Sequence, residues 1–227
     1  MKKEHTLSAK EINENIDSHI DEISKEFREG FTFLKKYPKS VSMFGSSHSS
    51  LDNPHYEEAR KLATRIVTEL GYAVITGGGP GIMEGANLGA KEGGGHSVGL
   101  TIILPQEQHI NPYTTASKKF NYFFTRKTML TFAAEAYVFY PGGFGTFDEL
   151  FSIITLVQTA KIPKVPIILV GKDFWNTFKE FMIKNMLEKH HSIDNNDLNL
   201  FVITDNENKI LEIIKNAPVS KWWEMAD

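Results

Sequence analysis

The stretch Pro141-Gly142-Gly143-Phe144-Gly145-Thr146-Phe147-Asp148-Glu149 brings three glycines, a hydroxyl and two carboxylates together between a short apolar run and a helical pattern. Closely spaced glycines free the backbone to point several N–H groups at one anion, and the dipole of a following helix favours negative charge there. A phosphate is the ligand this chemistry suits, with Gly142, Gly143, Gly145, Thr146 and Asp148 as candidate contacts. A second loop, Thr76-Gly77-Gly78-Gly79-Pro80-Gly81, has the same character: Gly78 and Gly79 are candidate contacts, and Pro80 reads as a first-turn residue of the next helix. A third, Phe44-Gly45-Ser46-Ser47-His48, offers small residues and hydroxyls for close approach, with Gly45 and Ser46 foremost. These loops match neither the dinucleotide fingerprint G-x-G-x-x-G nor the Walker pattern. One glycine-rich turn alone reads equally well as a tight strand-to-helix connection, but two such cradles suggest one shared ligand.

Charged residues sharpen the pattern. Asp148 and Glu149 fall in an expected first helical turn, where carboxylates complement the dipole, and for Asp148 that capping role is the better reading. Glu149 lies one residue further round the helix, so the two need not face the same way. Arg126 and Lys127, in Phe123-Phe124-Thr125-Arg126-Lys127-Thr128-Met129-Leu130, stand at an expected helix start, where positive charge opposes the dipole. Either an anionic ligand accounts for them, or surface solvation and an ion pair with Glu149 do.

Elements must hold these loops. Apolar runs at Val41–Phe44, Ala73–Thr76, Ser97–Ile103, Tyr137–Tyr140, Val165–Val170 and Phe201–Ile203 predict strands, and helical periodicity appears near 56–70, 81–91, 126–134, 146–159, 174–189 and 206–215. Wholly apolar strands alternating with helices imply a mainly parallel sheet covered on both faces, with ligands beyond the strands' carboxyl ends. Before it, Ile12, Ile16, Ile20, Ile23 and Phe27 predict an amphipathic helix that stops at Gly30 and either covers the main domain or forms a subunit contact. Residues 1–38 are therefore expected to form an N-terminal helical extension, 39–216 a Rossmann-like domain that carries the ligand loops and 217–227 a tail, whose Trp222–Trp223 pair is either a docking segment or a frayed end. The polar run His190–Asn199 reads as a loop.

Bulk properties exclude several classes. A share of 41% hydrophobic and 23% charged residues is that of a globular protein, and the absence of an 18-residue apolar run argues against a membrane span. The formal charge of −3 argues against general nucleic-acid binding, which favours a basic excess. The N-terminus lacks the apolar core of a secretory signal, so a cytoplasmic location is expected. The sequence has no cysteine, which removes thiolate metal ligands and a cysteine nucleophile.

GGGPGIMEGAN (77–87), SVGLTIILPQEQHINPY (97–113), FFTRKTML (123–130) and PGGFGTFDELFSIITLVQTAKI (141–162) resemble the Lonely Guy (LOG) family, once labelled putative lysine decarboxylases, and in particular its longer bacterial branch. The resemblance runs from about Val41 to Gly171. It implies an α/β enzyme with a Rossmann-like open parallel sheet that hydrolyses the N-glycosidic bond of a nucleoside 5′-monophosphate, AMP or a cytokinin riboside monophosphate, to free base and ribose 5-phosphate. By motif position it implies Arg126 and Glu149 as the catalytic pair and Glu107, Lys127, the Gly142–Asp148 loop and Thr155 as nucleotide contacts. It also implies a homo-oligomer, and neither a metal nor a cofactor is required. The chemistry agrees: a carboxylate can stabilise oxocarbenium character at the sugar and activate water, and a cation can stabilise the leaving purine or position the phosphate. The first loop departs from the branch's F-G-S-A-R by placing His48 where a permanent cation is usual. The alternative function is a noncatalytic protein that holds a nucleotide or phosphorylated cofactor in the same loops; nucleotide-dependent oxidoreduction is disfavoured by the missing fingerprint.

Overall fold

A computed structural model describes residues 9–104 and 110–218, with the backbone alone described over 9–14. Seven strands, β1 (Ser40–Phe44), β2 (Ala73–Thr76), β3 (Ser97–Ile102), β4 (Ala116–Phe120), β5 (Ala136–Phe139), β6 (Ile167–Leu169) and β7 (Val202–Ile203), form one parallel sheet in the order β4-β3-β2-β1-β5-β6-β7. Successive side chains of a strand face opposite ways, and here they sort into two cores. Val41, Met43, Val74, Val138 and Ile168 pack on one face with Ile82, Ala86, Ile210 and Ile214. Phe44, Ile75, Tyr137, Phe139 and Ile167 pack on the other with Met129, Ile153 and Trp175. The first face is covered by α2 (Pro54–Arg65), α3 (Ile82–Glu92) and α7 (Glu207–Lys215), the second by α1 (Ala9–Leu34), α4 (Phe123–Phe132), α5 (Phe144–Gln158) and α6 (Lys172–Phe181). This is the open, Rossmann-like α/β sheet expected.

The strands turn back at β1. From there β2, β3 and β4 are added on one side, and β5, β6 and β7 on the other. The loops after β1 and β5 therefore part above adjacent strands, at the switch point where open sheets of this kind offer a crevice.

Four expectations need correction. The strand β4 was not anticipated: its sequence Ala116-Ser117-Lys118-Lys119-Phe120 alternates between partly buried and exposed positions, as suits a sheet edge facing water on one side, rather than forming an apolar run. Gly30 does not stop α1, which continues to Leu34; a Cβ there would lie 2.5 Å from Met129 Sδ, so glycine lets α1 approach α4 closely. Pro80 lies outside α3, ahead of its N-cap Gly81. Both α4 and α5 begin earlier than the periodicity suggested, at Phe123 and Phe144. Elsewhere, the expected loop His190–Asn199 contains a short 3-10 turn at Asn195–Asn199. On α1, Ile16 and Ile20 are exposed, Ile23 is half-buried and Phe27 packs against Phe124, while the Ile12 side chain and Trp222–Trp223 lie outside the described residues.

Candidate active site

Three loops meet at the switch point and tie one another down. Ser46 N donates to Pro141 O at 3.0 Å, and Ile82 N donates to Ser46 O at 3.0 Å. The contact is close enough to demand glycine at 81: its φ is +71°, and a Cβ would sit 2.2 Å from Ser46 O. Below the second loop a buried polar chain fixes the backbone. Thr76 Oγ1 donates to Asn87 Oδ1 at 2.7 Å, and Asn111 Nδ2 donates to Asn87 Oδ1 at 2.9 Å and to Gly79 O at 3.0 Å. Such networks, when fully satisfied, hold one geometry.

Above these loops opens a cavity of about 420 Å³. Its apolar wall includes Phe44, Met83, Ile102, Leu104 and Leu130; its polar side includes Gly45, Ser46, His48, Arg126, Thr146, Asp148 and Glu149. One flank is the start of α5. There the N-cap is Gly143, which has no side chain to satisfy the first-turn amides. Gly143 and Gly145 have open space where a Cβ would stand, and Gly143 has an ordinary φ of −93°, so neither crowding nor backbone strain explains the glycine at 143. Gly142 differs: a Cβ there would collide with Thr146 Oγ1 at 2.1 Å.

Arg126 and Glu149 face this space from α4 and α5. The guanidinium of Arg126 is aimed by a hydrogen bond from Nε to Leu100 O of β3 at 2.7 Å. It rests over Gly77, where a Cβ would stand 2.3 Å from one of its terminal nitrogens. Burial lowers its proton affinity, against the pull of Glu149. Glu149 is 7% exposed, and its Oε2 is buried without a hydrogen-bond partner among the described residues. Burial raises its pKa from the ordinary 4.5 to about 7, opposed by the charges of Arg126 and Lys127 and reinforced by Asp148. A carboxyl poised near neutrality, with a free oxygen and a cation across the cavity, suits general acid–base work and stabilisation of developing positive charge.

The structure brings together Gly45, Ser46, Arg126, Gly143, Gly145, Thr146, Asp148 and Glu149 around this cavity. Gly78, Gly79 and Gly142 are not among its lining residues; Gly78 has φ +71° and packs against Thr101, and the carbonyls of Gly78 and Gly79 accept from Asn111. Lys127 and Thr155 line a neighbouring groove of about 580 Å³ between α4 and α5. There Lys127 Nζ pairs with Asp148 at 2.6 Å, so its partner is Asp148 rather than Glu149. Because α5 starts at Phe144, Asp148 falls beyond its first turn and is no cap. Glu107 lies outside the described residues. Gly77 and Phe123 belong to the site and were not anticipated; only the run of three glycines pointed toward Gly77.

A family model described as "Possible lysine decarboxylase" matches residues 83–214. Two cytokinin riboside 5′-monophosphate phosphoribohydrolases of Arabidopsis thaliana are 28% and 29% identical, each over 64% of this chain and over 69% and 68% of their own lengths. One of Oryza sativa subsp. japonica is 29% identical over 56% of this chain and 53% of its own. Among solved structures, a molybdenum cofactor carrier protein of Chlamydomonas reinhardtii superposes with a TM-score of 0.57 at 19% identity, covering 78% of this chain and 96% of that one. A molybdenum cofactor binding protein of Rippkaea orientalis superposes with a TM-score of 0.56 at 18% identity, covering 78% and 93%. These likenesses to solved structures are likenesses of fold.

Proposed function

The chain belongs to the LOG family, the family of the "Possible lysine decarboxylase" model, and we propose that it hydrolyses the N-glycosidic bond of a nucleoside 5′-monophosphate to free base and ribose 5-phosphate. The observation that carries this reading is the buried, unpartnered Glu149 oxygen in the same cavity as Arg126 and an uncapped helix start lined by glycine. The names of the curated relatives support it. The 5′-phosphate lies against the amides that open α5, with Thr146 beside it, which leaves the ribose toward Glu149. As the bond between the anomeric carbon and the base nitrogen lengthens, the Glu149 carboxylate stabilises the oxocarbenium character of the sugar and takes a proton from the attacking water. The water oxygen becomes the new anomeric hydroxyl, and the base leaves with the bonding pair and gains a proton. Arg126 supplies fixed positive charge for the departing base or the phosphate.

Decarboxylation of lysine through pyridoxal phosphate does not fit these residues. That cofactor is held as a lysine Schiff base, and among the described residues lining the cavity none is a lysine.

Incubating the protein with AMP, other nucleoside monophosphates and isopentenyladenosine monophosphate, with chromatography of the products, tests the reading. Free base and ribose 5-phosphate are expected, and Glu149→Gln should lower the rate by about 10²–10⁴-fold or more. Nucleotide binding without cleavage by the native protein would instead favour a noncatalytic binding protein.

A further inference from the structure

The N-terminal helix meets the start of α4 through a buried carboxylate. Glu26 of α1 is 7% exposed, and its carboxylate lies at the N-terminus of α4. Oε1 accepts from Asn121 N at 2.5 Å and from Asn121 Nδ2 at 2.9 Å; Oε2 accepts from Thr125 Oγ1 at 2.6 Å and from Tyr122 N at 3.4 Å. The helix does not provide this itself: its N-cap is Tyr122, whose side chain makes no capping hydrogen bond. Nor does α4 have an acidic residue in its first turn, where Arg126 and Lys127 follow close behind and oppose the dipole. The next link is short, because Tyr122 O accepts the first intrahelical bond from Arg126 N at 3.2 Å. Two backbone steps thus join the Glu26 carboxylate to the residue whose guanidinium faces the cavity. Around this contact, Tyr122 OH donates to Glu22 Oε2 at 3.1 Å, and the Phe27 ring meets Phe124.

We infer that Glu26 is a positioning residue: as a cap supplied from the N-terminal helix, it fixes the first turn of α4 and thereby the aim of Arg126 into the cavity. The catalytic consequence rests on the phosphoribohydrolase reading; the structural one does not. The carboxylate ties the residues that lead into the helix to its first turn, because it accepts from Asn121 N, from the N-cap's own amide and from Thr125 Oγ1, and it sets negative charge against the positive end of the dipole. A displacement of Arg126 by about 1 Å is enough to cost about 10²-fold in rate where the reacting groups must be aligned.

The test compares kcat and KM for base release from AMP by the full chain carrying Glu26→Ala, Glu26→Gln or Glu29→Ala. Glu29 pairs with Lys118 on β4 from the same helix and makes no contact with the cavity, so it reports general loosening of α1. Glu26→Ala is expected to lower kcat by about 10²-fold with KM changed by only a few fold. Glu26→Gln, which retains an acceptor for Asn121 N, should recover kcat to within about tenfold of the native protein, and Glu29→Ala should leave it unchanged. Full activity of Glu26→Ala, or an equal loss in Glu29→Ala, would overturn the inference. If the native protein cleaves no nucleotide, the functional reading has failed, and hydrogen exchange decides the fate of Glu26. Its alanine variant should then exchange amides 126 and 127 faster while amides 147–153 in α5 stay protected. Unchanged protection at 126 and 127, or equal loss in both helices, would refute the role of Glu26.

Discussion

The Glu149 carboxyl releases its proton only around pH 7, for a reason internal to the fold: it is buried, one oxygen has no partner among the described residues, and Arg126 only partly offsets the cost of charging it. The proposed reaction uses the carboxylate form, so the rate follows the fraction that has lost this proton. In the free enzyme kcat/KM should rise as pH passes upward through about 7 and level off above it. The substrate phosphate loses its second proton nearer pH 6, so a midpoint near 7 is separable from it. A kcat/KM profile that is flat between pH 6.5 and 8.5 would remove Glu149 from the proton transfer. Spacing alone could not foretell this difference between adjacent carboxylates. Asp148 is exposed and paired with Lys127, whereas Glu149 points inward; a one-residue step round the helix separates them, and the true start of α5 sets which way each faces.

At the scale of elements, the glycines of the loops divide into those the packing of the loops requires and those it does not, which the proposed function assigns to the ligand. Gly143→Ala meets no atom within 4 Å and keeps an allowed backbone, so stability should hold or rise by about 0.4–1 kcal/mol, while AMP affinity measured calorimetrically should fall by about tenfold. Gly81→Ala meets Ser46 O at 2.2 Å with φ at +71° and should cost about 3 kcal/mol or more in urea denaturation, because steric and backbone penalties add. Equal losses of stability in the two variants would contradict this division. The sequence shows glycine in both places without distinguishing them, because the atoms that decide belong to another loop. The same limit hid β4, whose Lys118 and Lys119 read as a polar connection until the sheet's edge is known. It hid the cap on α4 as well, since Glu26 stands 95 residues from Asn121. Local patterns were sufficient where the partner is the element itself: β2 has the expected bounds, and β1 and β3 differ from theirs by one residue.

Across the whole molecule, Glu149 at the carboxyl end of the sheet has a counterpart at the other end. Glu135, buried just before β5, accepts from Ser40 N at 2.6 Å, yet burial still raises its pKa to about 7. Folding thus increases the proton affinity of two carboxyls. Between pH 4.5 and 7 the native state holds protons that the unfolded chain has released, so stability falls as pH rises across this window and levels off above it. Each tenfold change in proton affinity is worth about 1.4 kcal/mol, so each carboxyl costs on the order of 3 kcal/mol at pH 8. The two sites differ in what replacement leaves behind. Glu149→Gln removes a charge with an unpartnered oxygen and should raise the urea midpoint at pH 8 but scarcely at pH 4.5, as expected where a site trades stability for activity. In Glu135→Gln the amide oxygen can still accept from Ser40 N, so the same pH-selective gain should appear with catalysis intact. The double variant should then show a shallower decline in stability from pH 4.5 to 8 than either single one. A decline as steep as that of the native protein would place the responsible groups elsewhere.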